Sequence, residues 1–257
     1  MQAFDRYIGI DYSGAETPKS SLKGLRIYIA ARNEAPTEVF PPPSPRRHWT
    51  RNEIAHWLVA RFLEGQRTLV GIDHGFSFPL KYFDKYHLAH DWPAFLDDFQ
   101  RHWPTDDDVY VDFVRDGLHG DGNARSGNPR WRRIAEEQAG AKSVFHFDVP
   151  GSVAKSTHAG LPWLRYMRSH AHGVHFWPFD GWAIPGGRSV VAEVYPSLWS
   201  PCFARENRND DQHDAYSAAE WIRRSDRDGT LMEFFAPVLS PQEQEVVNIE
   251  GWILGIK

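Results

Sequence analysis

The chain is poor in the features that fix a fold covalently or tie it to a membrane. One cysteine, Cys202, in 257 residues leaves no internal disulfide and no cysteine-built zinc site. With no evident histidine partner, Cys202 reads as a small buried residue. No run approaches the ~18 apolar residues of a membrane span, and Met1-Gln2-Ala3-Phe4-Asp5-Arg6 has no signal-peptide core. The expected setting is therefore cytoplasmic, with no membrane partner. A positive charge surplus is also missing. The formal net charge of -5 speaks against coating nucleic acid nonspecifically. It leaves room for a metal-dependent nuclease, whose own acids are offset by bound cations.

Aromatic mass is what the chain does have. Its 11 Trp, 9 Tyr and 16 Phe supply a substantial core, and a charged fraction of 25% argues against wholesale disorder. The length fits one domain spanning residues 1–257, or a core with an insertion.

Taken in order, Tyr7–Asp11, Leu25–Ala31 and Glu38–Phe40 read as strands joined closely enough to form an antiparallel meander, stopped by Pro41-Pro42-Pro43. The polar residues between Gly14 and Gly24 form the hairpin side of any site at this end. Thr50-Arg51-Asn52-Glu53 is a capping box, and Ile54, Trp57, Leu58 and Phe62 follow at helical spacing. Thr68–Asp73 is nearly all apolar, as a central strand covered on both faces must be. Strand, helix and strand over this length predict a parallel pairing through a right-handed crossover. From about Lys81 to Pro150 the pattern loosens into an insertion, with helices over Ala94–His102 and Trp131–Gln138. A helix in Ser156–His172 is expected to begin near Leu161, after a small-residue loop. Val174–Trp177 and Val190–Val194 are strands, Asp210–Arg224 is a helix with Ala215, Ala218, Ala219 and Ile222 on one stripe, and Ser240-Pro241-Gln242-Glu243 caps a last helix.

Two strands end alike, in Gly9-Ile10-Asp11 and Gly71-Ile72-Asp73, and Glu193 lies on a third. A strand running into a carboxylate is costly unless the charge meets a cation, a donor or water. Asp211 and Asp214 are three apart at the start of the last helix, so they share a face, and that face continues into the apolar stripe. A helix cap accounts for Asp210 or Asp211. It accounts less well for Asp214, deeper on the inward side. Asp11, Asp73, Glu193 and Asp214, with Asp211 beside them, would repel and take up protons unless cations hold them. All-oxygen donors without cysteine favour Mg²⁺ or Mn²⁺, and two such ions about 4 Å apart activate water at a phosphodiester. Ser13, Lys155, Ser156 and Thr157 are candidates for holding a phosphate, the last three in a loop before a helix. Arg125, Arg130, Arg132 and Arg133, clustered near Trp131, are candidates for tracking a phosphate backbone, although a solvated helix face is the commoner outcome for such a run. His87, His90, His170 and His172 lack acids at ligand spacing and read as surface or core residues.

In its order of strand-Asp, meander, helix, strand-Asp, strand-Glu and helix-Asp, the chain resembles the ribonuclease H-like superfamily, and within it domain-of-unknown-function family 429, described as predicted nucleases. The motifs that carry this are Gly9-Ile10-Asp11, Gly71-Ile72-Asp73, Glu193-Val194-Tyr195-Pro196, His213-Asp214-Ala215 and Glu250-Gly251-Trp252-Ile253. Gly151-Ser152-Val153-Ala154-Lys155-Ser156-Thr157 with Gly160-Leu161-Pro162 is similar to that family's central segment. The likeness spans nearly the whole chain and thins between about Lys81 and Asp148. It implies an α/β fold with a mixed five-stranded sheet, order 3-2-1-4-5, flanked by helices and carrying a large insertion after the fourth strand. By analogy it implies a divalent-metal-dependent nuclease, with nucleic acid as partner and Asp11, Asp73, Glu193 and Asp214 as catalytic metal ligands. His74-Gly75-Phe76 after Asp73 departs from the smaller, apolar-proline continuation expected there.

Two other classes compete. An ATP-using phosphotransferase of the sugar-kinase and actin type would place phosphates on Asp11 and the Ser13-Gly14 turn, but wants a second Gly-rich loop, and none follows Gly187. A non-catalytic nucleic-acid-binding module with the same fold is the other, and the presence of all four acids argues against it.

Overall fold

The computed structural model describes residues 2–42 and 47–257. Pro43, the last of the three prolines expected to stop the third strand, lies outside them. β1 (Arg6–Asp11) runs through the middle of a mixed sheet and pairs with β2 (Arg26–Ala31) antiparallel; β3 (Thr37–Glu38) extends that meander at its edge. The crossover is α1 (Arg51–Phe62), opened by the expected box: Glu53 N donates to Thr50 Oγ1 and Thr50 N to the Glu53 carboxylate, both at 3.1 Å. β4 (Thr68–Asp73) then lies parallel to β1.

Among the described residues the sheet has seven strands rather than five, in the order β3-β2-β1-β4-β6-β5 with β7 on β6. β6 (Ser189–Val194) takes the place beside β4. Two short apolar segments account for the surplus. β5 (Val174–Trp177) covers the outer edge of β6, and β7 (Ile253–Leu254) continues along it at Glu193 and Val194, where β5 has ended.

Side chains alternate across this sheet, and each face has its own core. Ile8, Ile10, Val70, Ile72 and Val191 pack on one side with Ile54, Leu58, Leu161 and the aromatics of the insertion. Tyr7, Leu69, Val190, Ala192 and Val194 pack on the other with Ala218, Ile222 and Trp252. The second face belongs to α7 (Asp210–Arg227), which runs three residues past the expected end. α7 rides directly on β1 because Gly9 has no side chain: a Cβ there would stand 2.2 Å from the Ala215 carbonyl oxygen.

After Asp73 the chain leaves the sheet through α2 (Leu80–Tyr86), α3 (Trp92–His102), α4 (Val111–Arg115) and α5 (Ile134–Ala139). α5 starts later than expected because Arg133 caps it. The Glu250 carboxylate, at the end of α8 (Pro241–Glu250), accepts from Leu80 N at 2.6 Å and Ile134 N at 2.8 Å. α6 (Ala154–His170) starts well before Leu161, so Gly160 and Pro162 lie inside it. Proline has no N–H for the carbonyl four residues back. Here that carbonyl, of His158, accepts from Thr105 Oγ1 at 2.5 Å instead. Gly160 makes room for His74, whose Nε2 would be 2.4 Å from a Cβ. Cys202, expected inside, is exposed. No described helix is long and apolar enough to cross a membrane.

Candidate functional site

Asp11 and Asp73 close two neighbouring parallel strands and are partners in the register, on the face that carries Gly9 and Gly71. Burial pushes the Asp11 carboxyl well above the usual carboxylate range, and repulsion from Asp73, Asp211 and Asp214 adds to this. Arg26 offsets it in part, but that guanidinium is already engaged by Glu38 at 2.9 Å. Asp73 is raised likewise, by burial first and then by Asp214 and Glu193. Asp211 and Asp214 come from the first turns of α7. Neither is needed as the cap, because Asn209 accepts from Gln212 N at 2.8 Å. Burial raises both carboxyls; Arg26 counters it at Asp211, and His213 and a Ser200 hydrogen bond counter it at Asp214. So on the α7 face at the sheet's end Asp11 lies within electrostatic reach of Asp73, Asp211 and Asp214, and Asp73 within reach of Asp214.

Glu193 does not join them. Its register partner is Ile72, not Asp73, so its side chain belongs to the opposite face of the sheet. There it is 4% exposed and held by Arg133, whose two terminal nitrogens donate at 2.8 and 2.6 Å, and by Phe76 N at 3.0 Å. The expectation of a metal ligand at Glu193 is corrected to a buried ion pair.

Arg133 is corrected with it. It is fully buried, bonds Glu193, Glu136 at 2.9 Å and the Glu250 carbonyl, and reaches no phosphate path. Burial alone would lower its pKa, and Glu193 and Glu136 more than reverse that. The rest of the expected arginine track is dispersed. Arg125 pairs with Asp98 and lies over Tyr86, and Arg132 donates to the Glu136 and Ala141 carbonyls. Arg130 is exposed.

Of the expected phosphate-holding set, Ser13, Lys155 and Ser156 do line one cleft of about 600 Å³, together with Asp11 and Asp211. Lys155 and Ser156 are in the first turn of α6 rather than in a loop. Lys155 Nζ meets Asp112 Oδ2 at 2.6 Å. Thr157 is corrected: it is buried, and its Oγ1 accepts from Gly75 N at 2.8 Å, tying α6 to the turn after β4. The Ser13-Gly14 turn is pressed onto α6, since a Cβ at Gly14 would stand 2.1 Å from the Lys155 carbonyl oxygen. His74, the departure noted after Asp73, is buried edge-on to Tyr12, 4.6 Å between centroids, and burial pushes it down to about 4, so it is neutral near pH 7.

Three contributors escape a reading of the sequence. Arg51, inside the first capping box, turns its guanidinium inward and donates to the carbonyls of Ser13, Ala15 and Glu16 at 3.1, 2.6 and 3.0 Å, which fixes the cleft loop from beneath. Tyr110 and Asp112 bring the insertion to the cleft as its far wall. The charge next to Thr50 and the aromatic next to Asp112 are the only local signals for either.

The donors at the sheet end are all carboxylates and suit a hard divalent cation. Among the described residues, no group of three or more His, Cys, Asp or Glu side chains is drawn together as a metal-holding set. The fit to a cation therefore rests on the type of donor and on the mutual repulsion at Asp11 and Asp73. Compared with protein-family models, curated proteins and solved structures, the chain matches none.

Proposed function

We propose that the protein is a divalent-metal-dependent phosphodiester hydrolase of the nuclease kind, working at Asp11, Asp73, Asp211 and Asp214. One observation carries this: two strand-end carboxylates stand opposite each other in register, with acids from α7 raising their pKa, and two of the four, Asp11 and Asp211, line a cleft that also presents a lysine. Such a cluster costs free energy in an empty protein and returns it when a cation arrives. The resemblance to ribonuclease H-like nucleases points the same way by analogy.

A Mg²⁺ or Mn²⁺ ion held by these acids would supply an activated water and offset charge on the phosphate. Asp11 and Asp73 would hold it from the sheet, and Asp214 and Asp211 from α7. Lys155 neutralises a non-bridging phosphate oxygen from the opposite wall once Asp112 releases it, and the Ser13 hydroxyl donates beside it. Arg51 keeps Ser13 in place through its backbone. Glu193 acts at one remove, by fixing Phe76 N and Arg133 behind β4.

Hydrolysis of bis(4-nitrophenyl) phosphate with Mg²⁺ or Mn²⁺ tests the reading. Asp11→Asn and Asp73→Asn should each cost at least about 100-fold in kcat/KM, as loss of an essential charge-stabilising group does. A crystal soaked in Mn²⁺ should give anomalous density among the four aspartates. No metal-dependent turnover together with no such density would overturn it.

A further inference from the structure

The wall that the insertion gives to the cleft ends in two exposed aromatic rings. Tyr110 is 41% exposed and Phe113 49%, with centroids 5.4 Å apart at 45°. Tyr110 lines the cleft, and its hydroxyl donates to Glu16, which lines it too. The two rings thus form an accessible aromatic surface that reaches, through Tyr110, the cleft lined by Asp11 and Asp211.

Cations, by contrast, are scarce there. Among the described residues lining the cleft, Lys155 is the only basic side chain, and it already faces Asp112. Arg125, Arg132 and Arg133 are spent on contacts within the protein. A long strand or duplex gripped by its phosphates needs a row of lysines and arginines, and this cleft has none. A volume of about 600 Å³ is that of a small-molecule site.

Building on the phosphodiester reading, we propose that the substrate is a short nucleotide diester of about dinucleotide size. A base beside the scissile phosphate stacks on Tyr110 and Phe113 while the phosphate lies between Lys155 and the aspartates. Duplex and long single strands are excluded as preferred substrates, because affinity comes from stacking and from the bound cation rather than from backbone charge. A stacked base contributes about 1–3 kcal/mol, roughly 5- to 150-fold in affinity.

Calorimetric binding of thymidylyl-thymidine in Ca²⁺, beside its abasic analogue and a 20-base-pair duplex, tests this without relying on turnover. The dinucleotide should bind at least about tenfold more tightly than the abasic analogue. Tyr110→Ala and Phe113→Ala should each remove much of that difference, Tyr110→Phe should keep it, and none should change binding of the abasic analogue. Salt dependence should correspond to about one phosphate, a slope near 0.7. Both rings are exposed, so these variants keep the fold. Equal affinity for the abasic analogue, tighter binding of the duplex, no measurable dinucleotide binding, or no effect of the double alanine variant would each overturn the proposal. If the dinucleotide binds as expected but is not cleaved in Mg²⁺ or Mn²⁺, the hydrolase reading fails and the site is a dinucleotide-binding site rather than a catalytic one. If the simple diester is cleaved while the ring variants change nothing, the hydrolase reading stands and the stacking proposal fails.

Discussion

Two groups of carboxylates meet the end of the same sheet, on opposite faces, and they are treated in opposite ways. On the far face from α7, Glu193 and Glu136 close on Arg133, and Glu250 accepts from two backbone N–H groups. On the α7 face, Asp11 and Asp73 meet two further acids and one arginine already engaged elsewhere. The first arrangement is complete without a ligand and reads as structure. The second stores repulsion and reads as a site. Carboxylate density alone does not separate them; the location of the cation does.

The largest effect that would sharpen this contrast is at Arg133. Replacing it with Met leaves Glu193 and Glu136 buried without their cation, and should cost about 3–5 kcal/mol in urea unfolding. Adding Glu193→Gln and Glu136→Gln should recover a good part of that loss. If the single variant is as stable as the parent, the pair is not what holds this face.

A divalent cation should stabilise the other face by about 2.7 kcal/mol at a hundred times its Kd, seen as a raised Tm with Mn²⁺. The gain should vanish in Asp11→Asn with Asp73→Asn and persist in Glu193→Gln. Persistence in the first, or loss in the second, would reverse the assignment of the two faces.

Asp11→Asn without metal should stabilise by about 1 kcal/mol near neutral pH, since it removes one of the repelling charges. The sign of its pH dependence follows from the raised carboxyl. The folded chain holds the Asp11 proton at pH values where the unfolded chain has lost it, so this contribution to stability is fully present below the unfolded pKa of about 4 and disappears as pH rises through the folded one. The advantage of the variant should therefore be small at pH 4 and grow toward pH 8 in paired thermal melts. A constant difference would mean that Asp11 is not strained.

Smallest is Arg130→Glu, on an exposed arginine that neither face uses. It should change stability by less than about 0.5 kcal/mol, and leave the salt dependence of oligonucleotide binding unaltered. A slope lower by about 0.7 would restore a phosphate track to the insertion.

What the sequence disclosed, it disclosed locally. The placing of Asp11 and Asp73 at strand ends could be read because strand, acid and turn are contiguous, and that of Asp214 early in α7 because helical spacing sets it beside the Ala215–Ala218 stripe. The boxes at Thr50 and Ser240 form as expected. Glu193 was misassigned because the face of a strand residue depends on its register with a neighbour, and a one-residue change of parity moves the side chain across the sheet. Ile72, not Asp73, is its partner. Arg133 was misread because Glu193, the partner that draws it under the sheet, lies 60 positions away. Thr157 was misread because Gly160 and Pro162 look like reasons for a late helix start. The tertiary structure supplies Thr105 for the carbonyl stranded by the proline, and His74 for the space above the glycine. Tyr110 and Asp112 become part of the cleft only when the insertion folds back, which no local pattern encodes.

The two bonds of Glu250 have a consequence for how this chain tolerates change. One carboxylate grips the backbone at Leu80 and again at Ile134, so the polypeptide departs and re-enters at nearly the same point. Segments whose ends are pinned together can be lengthened, shortened or exchanged at modest entropic cost, because loop closure depends only weakly on what lies between. Tyr82, Phe83, Phe95 and Phe99 share one core with Ile8, Val70 and Ile72, so this tolerance belongs to the exposed parts of the stretch, such as residues 116–118, and its buried aromatics must be kept.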